Sequence, residues 1–183
     1  MLSGFFAHDA TAEGWWPARA DTGLVAVDAI KDAHVSAASA ATNFGAATTL
    51  LEQGTGLPIN AYLGFDLSGS VRPVALAKLS LRVLQVGGGA VSTVSSTSWA
   101  ESTITFGNAP AIRSTLVNTP QSSRDGTMGA NVTANVNADP DGRLTFALTT
   151  PATSQESYHS KEDGQPPRLV LVTVCAGAPD GDA

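Results

Sequence analysis

The sequence predicts an all-β fold, a sandwich or barrel of antiparallel strands, and three observations carry that reading. Short runs of residues alternate apolar and polar with period two; turn-forming residues interrupt them every eight to twelve positions or so; and nowhere do apolar residues recur at i, i+3, i+4 and i+7 for three turns. Composition agrees. Of 183 residues 43% are hydrophobic, enough to bury a core, and only 14% are charged, too few for a charged helical bundle.

In chain order, residues 1–23 form an arm outside the pattern: they carry Phe5, Phe6, Trp15 and Trp16, four of eleven aromatics, without alternation or a helical stripe. A sandwich domain is expected over 24–176 and a polar tail over 177–183. Residues 24–30 alternate weakly. In 61–67, Leu63, Phe65 and Leu67 face inward, which turns Tyr62 outward. Residues 77–83 alternate cleanly, with Leu79, Leu81 and Val83 on one face. Gly87-Gly88-Gly89 reads as a hairpin turn, and Ser98 with Glu101 three positions on reads as one capped helical turn. Asp125-Gly126 and Asp141-Gly142 are turns; 143–149 is a further strand; Pro166-Pro167 precedes a last strand, 168–174, apolar enough to be covered on both faces.

Several function classes fall away. The net charge is −6 with no cluster of Lys or Arg, which excludes a nucleic-acid footprint. No apolar run approaches 18 residues, so no helical membrane span is expected. Asp9 and Glu13 interrupt the start, which does not read as a secretory leader. Cys175 has no partner for an internal disulfide and reads as a small hydrophobe. His8, His34 and His159 are scattered, no G-x-S-x-G surrounds a serine, and His159 and Glu162 point to opposite faces of a strand end, so no enzyme is expected. The run from Asn137 to Gly142 begins like a calcium loop, but Leu148 stands where the closing Glu belongs. Asn131-Val132-Thr133 has the pattern of an N-glycosylation acceptor.

The order of short motifs is more specific. Asp32-Ala33-His34-Val35 is followed by Asn43-Phe44-Gly45, Tyr62-Leu63-Gly64-Phe65-Asp66-Leu67-Ser68, Ala77-Lys78-Leu79-Ser80-Leu81, the block 99–110 from Trp99-Ala100-Glu101-Ser102-Thr103 to Asn108-Ala109-Pro110, Ser160-Lys161-Glu162 and Pro167-Arg168-Leu169-Val170. Over roughly 28–174 the chain resembles the DNRLRE domain, the group that includes carbohydrate-binding module family 96. The resemblance implies a β-jelly-roll sandwich, an extracellular or cell-surface setting, a structural calcium in some relatives and acidic polysaccharide as ligand in some. It also implies calcium ligands at Asp32 and Asn43 near the first strand and Glu162 or Asp163 near the last. The chain departs from the family where basic residues flank the Tyr-Leu pair: Asn60 and Gly64 stand there, and Phe106 replaces a second Trp.

Two functions follow. In the first, a non-catalytic structural subunit polymerises with copies of itself into a filament or surface layer. Residues 1–23, about 70 Å long if extended, would insert Phe5, Phe6, Trp15 and Trp16 into a neighbour; the alternative path folds the arm back on its own sandwich. In the second, the chain is a carbohydrate-binding module for an acidic polysaccharide, with Tyr62 and Tyr158 as the aromatic rings offered to sugar.

Overall fold

Strands that alternate must hide one face. In the computed structural model, which describes residues 22–70 and 73–174, they do so in two antiparallel sheets. The four-stranded sheet runs β1 (Thr22–Asp28), β11 (Arg168–Val174), β5 (Val74–Arg82), β8 (Thr127–Asn131). The five-stranded sheet runs β2 (Lys31–Ser36), β4 (Ile59–Asp66), β9 (Arg143–Thr149), β6 (Val86–Val94), β7 (Ile112–Ser123). A short pair, β3 (Thr49–Glu52) and β10 (Glu156–His159), is tied to these by single bridges, Gln53 to Ile59 and Val83 to Tyr158. The chain passes repeatedly from one sheet to the other, as a jelly-roll sandwich does. The arm aromatics Phe5, Phe6, Trp15 and Trp16, His8, Cys175 and the tail 177–183 lie outside the described residues.

The main core forms where the two inner faces meet. Leu63, Phe65, Val91, Phe146 and Leu148 come from one sheet, and Ala77, Leu79, Leu81, Met128, Leu169 and Leu171 from the other. Phe65 and Phe146 pack at a tilt, centroids 6.2 Å apart, a geometry that adds roughly 1 kcal/mol to their burial. A second cluster lies on the outer face of the five-stranded sheet. There Ala33, Val35, Tyr62 and Ala147 are covered by Trp99 and Ile104 of the long β6–β7 connection.

Two local expectations are corrected. Gly87, Gly88 and Gly89 are not a hairpin turn but the interior of β6, where the register shifts and Gly89 takes φ +83°. The physical need is space: a Cβ on Gly87 would lie 2.4 Å from the Tyr158 ring. Residues 98–101 form no capped helix; instead Ile104 N–H reaches back to the Ala100 carbonyl in a single turn. The α-helix among the described residues is α1 (Thr133–Ala138), too short to leave a periodic signature. Asn131 Oδ1 accepts from the Thr133 N–H and hydroxyl, so the Asn-Val-Thr triplet is the turn that starts α1. Asn137 then extends the sheet, accepting from Val74 N–H and donating to its carbonyl.

Candidate functional site

The motif residues that are scattered in sequence meet at one place. Asp32 on β2, Glu101 in the β6–β7 connection and Glu162 in the 3-10 turn Lys161–Asp163 bring ligand-type oxygens within 4.8 Å of one another. Each is placed by backbone. Asp32 donates its N–H to Glu101 Oε1 at 2.6 Å and accepts from Lys161 N–H at Oδ2. The Lys161 ammonium bridges Glu101 Oε2 at 2.8 Å and Glu162 Oε1 at 2.5 Å. Asp32 is 1% exposed. Burial first, then the neighbouring Glu162 and Glu101 charges, pushes its carboxyl up to about 7 against the hydrogen bond from Lys161 N–H. Hydrogen bonds from Lys161 hold Glu162 below the ordinary range although its own burial opposes them.

Of the expected calcium ligands, Asp32 and Glu162 do meet. Asn43 borders a small cavity together with Glu101 and Glu162, but its oxygen accepts Gly45 N–H and its nitrogen donates to the Glu101 and Ile104 carbonyls, both at 2.7 Å. Asp163 pairs with His159. Glu101 takes the place they leave; its signal was its position two residues after Trp99 in the most specific motif block. Calcium takes six to eight oxygens. Here four of the six carboxylate oxygens are committed to protein donors, and Asp32 Oδ1 and Glu162 Oε2 alone have no partner. Lys161 already supplies the positive charge, so the donor set as it stands does not fit calcium.

The outer face of the five-stranded sheet carries a second feature. Tyr62 does point away from Leu63 and Phe65, yet it is 3% exposed, because the β6–β7 connection folds over it. Its hydroxyl donates to the Pro110 carbonyl at 3.0 Å, its ring meets Trp99 edge-on, and burial pushes its pKa up to about 12. Tyr62 therefore presents no ring face to solvent. Beside it an open cleft of about 280 Å³ is bordered by Val35, Asn60, Phe106 and Ile112. Two residues along the same strand, Gly64 leaves room for Lys31, whose ammonium donates to the Thr97 and Trp99 carbonyls and sits 4.4 Å from the centre of the Trp99 ring. Burial first, then Arg143, lowers its pKa. The lysine thus fastens the connection to the sheet instead of projecting into solvent.

Tyr158 is likewise enclosed, at 0% exposure. Its hydroxyl accepts from Gly88 N–H at 2.7 Å and donates to the Gly88 carbonyl at 3.0 Å. Next to it the β3–β10 pair sets Glu52 directly opposite Glu156. Both are buried, and Glu52 is held well above the carboxylate range by desolvation first and the Glu156 charge second. Glu156 borders a separate cleft of about 450 Å³ with Asn118, Gln121, Thr150 and Pro151. Neither expected sugar-facing tyrosine is available for stacking; each anchors backbone.

No curated protein matches the chain. The model of carbohydrate-binding module family 96 matches residues 24–173, from β1 to the end of β11. The match spans both sheets, the carboxylate cluster and both clefts, and by it the chain belongs to carbohydrate-binding module family 96.

Proposed function

We propose that the protein is a non-catalytic, extracellular module that binds polysaccharide in the cleft between Asn60 and Phe106. The observation that carries the reading is the composition of that cleft. A half-buried aromatic ring, Phe106, stands beside an amide side chain, Asn60, on an open sheet face, and these two groups supply stacking for the apolar face of a pyranose and a hydrogen bond for its hydroxyls. Among the residues bordering the cleft none is charged. Asn60 and Gly64 occupy the positions where the family resemblance implies cations, and the Lys31 ammonium beside Gly64 is spent on carbonyls. With a net charge of −6 on the chain, a neutral polysaccharide suits this surface better than an acidic one. Self-assembly through residues 1–23 rests on no comparable feature of the described residues.

Affinity electrophoresis through gels containing neutral or acidic polysaccharides tests the proposal. Retardation is expected in a neutral gel, with Phe106→Ala and Asn60→Ala each weakening it about tenfold, or roughly 1.4 kcal/mol. Retention in acidic gels alone would overturn the neutral ligand, and unimpeded migration in every gel would overturn the module reading.

A further inference from the structure

The outer face of the four-stranded sheet, on the opposite side of the sandwich from Phe106, gathers positive charge. Alternation along β5 sends Lys78, Ser80 and Arg82 to that face while Leu79 and Leu81 enter the core. The register of β11 sets Arg168 directly beside Ser80, which makes Arg82 its diagonal neighbour. On the other flank of Ser80 stands Gly129 of β8, and Lys78 fills the space a side chain would take there. A Cβ on Gly129 would fall 2.4 Å from Lys78 Cε and 3.0 Å from its Nζ. The lysine stem therefore leans over β8 and carries its ammonium toward the row of Ser80. Ser80, Arg82, Thr127 and Arg168 border one concave pocket of about 260 Å³, with residues 164–166 as a further wall.

Three cations meet a single acid here. Asp28 accepts from Arg168 Nε at 2.6 Å, and among the residues bordering the pocket none is acidic. Among the described residues Lys78 and Arg82 have no ion-pair partner, and the hydroxyls of Ser80 and Thr127 make no hydrogen bond. Lys78, Arg82 and Arg168 against Asp28 leave a surplus of two positive charges, in a chain with 16 acidic and only 10 basic residues. Like charges at neighbouring sheet positions repel, and elsewhere in this molecule acid and base are interleaved, as where Lys161 bridges Glu101 and Glu162. An anion entering the pocket relieves that repulsion. It meets N–H donors from two guanidinium groups and O–H donors from two hydroxyls.

We propose that this pocket binds a doubly charged tetrahedral oxyanion, phosphate or sulfate as the free ion or phosphate as a monoester. The surplus of two charges matches a dianion. Donors that converge from β5, β8 and β11 suit oxygens pointing in several directions better than the two coplanar oxygens of a carboxylate. Because Arg82 and Arg168 are exposed, added salt weakens the interaction. The site lies on the other sheet from Asn60 and Phe106 and does not rest on the saccharide reading.

Amide chemical shifts of the isotope-labelled intact chain, followed as sodium phosphate or sodium sulfate is added at low ionic strength, test the proposal, with sodium chloride as the ionic-strength control. Saturable shifts are expected at Ser80, Arg82, Thr127, Gly129 and Arg168, and none of comparable size in chloride. Lys78→Gln and Arg82→Gln should each weaken binding about fivefold, the upper range for one exposed ion pair. Asp28→Asn should tighten binding by freeing Arg168, and Arg113→Gln, the same charge change on β7 of the other sheet, should leave it unchanged. A sugar phosphate titrated in place of the free ion separates the two sources: equal affinity assigns the site to the ion alone, and tighter binding assigns it to a monoester. Shifts that chloride reproduces, a response to both phosphate species that never saturates, or a loss in Arg113→Gln as large as in Arg82→Gln would each overturn the proposal.

Discussion

Asp32 holds its proton to a higher pH in the folded chain than it would in the unfolded one, because burial penalises the charged form and Glu162 and Glu101 repel it. The direction of the linkage follows. A carboxyl raised from 3.8 to about 7 stabilises the fold fully below the lower value, and that contribution is lost as pH rises through the upper one. Glu162 is shifted the other way, so its own contribution is lost only on acidification and is constant above its ordinary value of 4.5. Asp32→Asn keeps an acceptor for Lys161 N–H and cannot ionise. Its melting temperature relative to the unaltered chain should therefore rise between about pH 4 and pH 7 and level off above, by an amount worth a few kcal/mol at most. Calorimetry at five pH values would check this, and a constant difference across the series would show that Asp32 is ionised throughout.

The β6–β7 connection is the element on which the outer face depends. It has little regular structure of its own and is fastened from below. Lys31 holds the Thr97 and Trp99 carbonyls, Asn43 the Glu101 and Ile104 carbonyls, and the Trp99 indole N–H donates to Thr145 at 3.1 Å. Gly45 completes the seat, since a Cβ there would fall 2.1 Å from the Glu101 carbonyl oxygen. Gly45→Ala should lift the connection and cost about 2 kcal/mol or more in denaturant unfolding; an unchanged midpoint would mean that the seat yields freely. These contacts explain how much was legible beforehand. The strands 143–149 and 168–174 were readable to the residue because each has one or two strongly apolar faces. β6 was hidden by glycines that make room for Tyr158, and β7 by an edge position that leaves its side chains mostly polar. The acidic cluster was half visible: Asp32 and Glu162 could be named, while Glu101 was read as the end of a capped helical turn. The Glu52–Glu156 pair was invisible, because only strand register brings two such distant residues opposite each other.

At the scale of the molecule, the two ends of the described chain close one sheet. β1 pairs with β11 from Thr22↔Val174 to Asp28↔Arg168, and Arg168 adds an ion pair to Asp28 at 2.6 Å. β1 is nonetheless an edge strand, with Leu24 74% exposed, so its inward contribution is small beside that of β5 and β11. Every residue of the main core and of the outer cluster falls between Val27 and Leu171. A chain that begins at Thr22 therefore retains all of the burial described above, and its melting temperature should stay within about 2 °C of the intact chain's, since a loss of even 1 kcal/mol would move it further. The same truncation separates two roles for the molecule. A polysaccharide module keeps its retention in a neutral gel when it starts at Thr22, because Asn60 and Phe106 are untouched. A subunit that polymerises through residues 1–23 keeps its fold and loses its filaments, which negative-stain microscopy of both chains would reveal. If the shorter chain melts well below the intact one, residues 1–21 contribute to the stability of the sandwich itself, and neither role can be assigned to them until that contribution is removed by point substitution at Trp15 and Trp16.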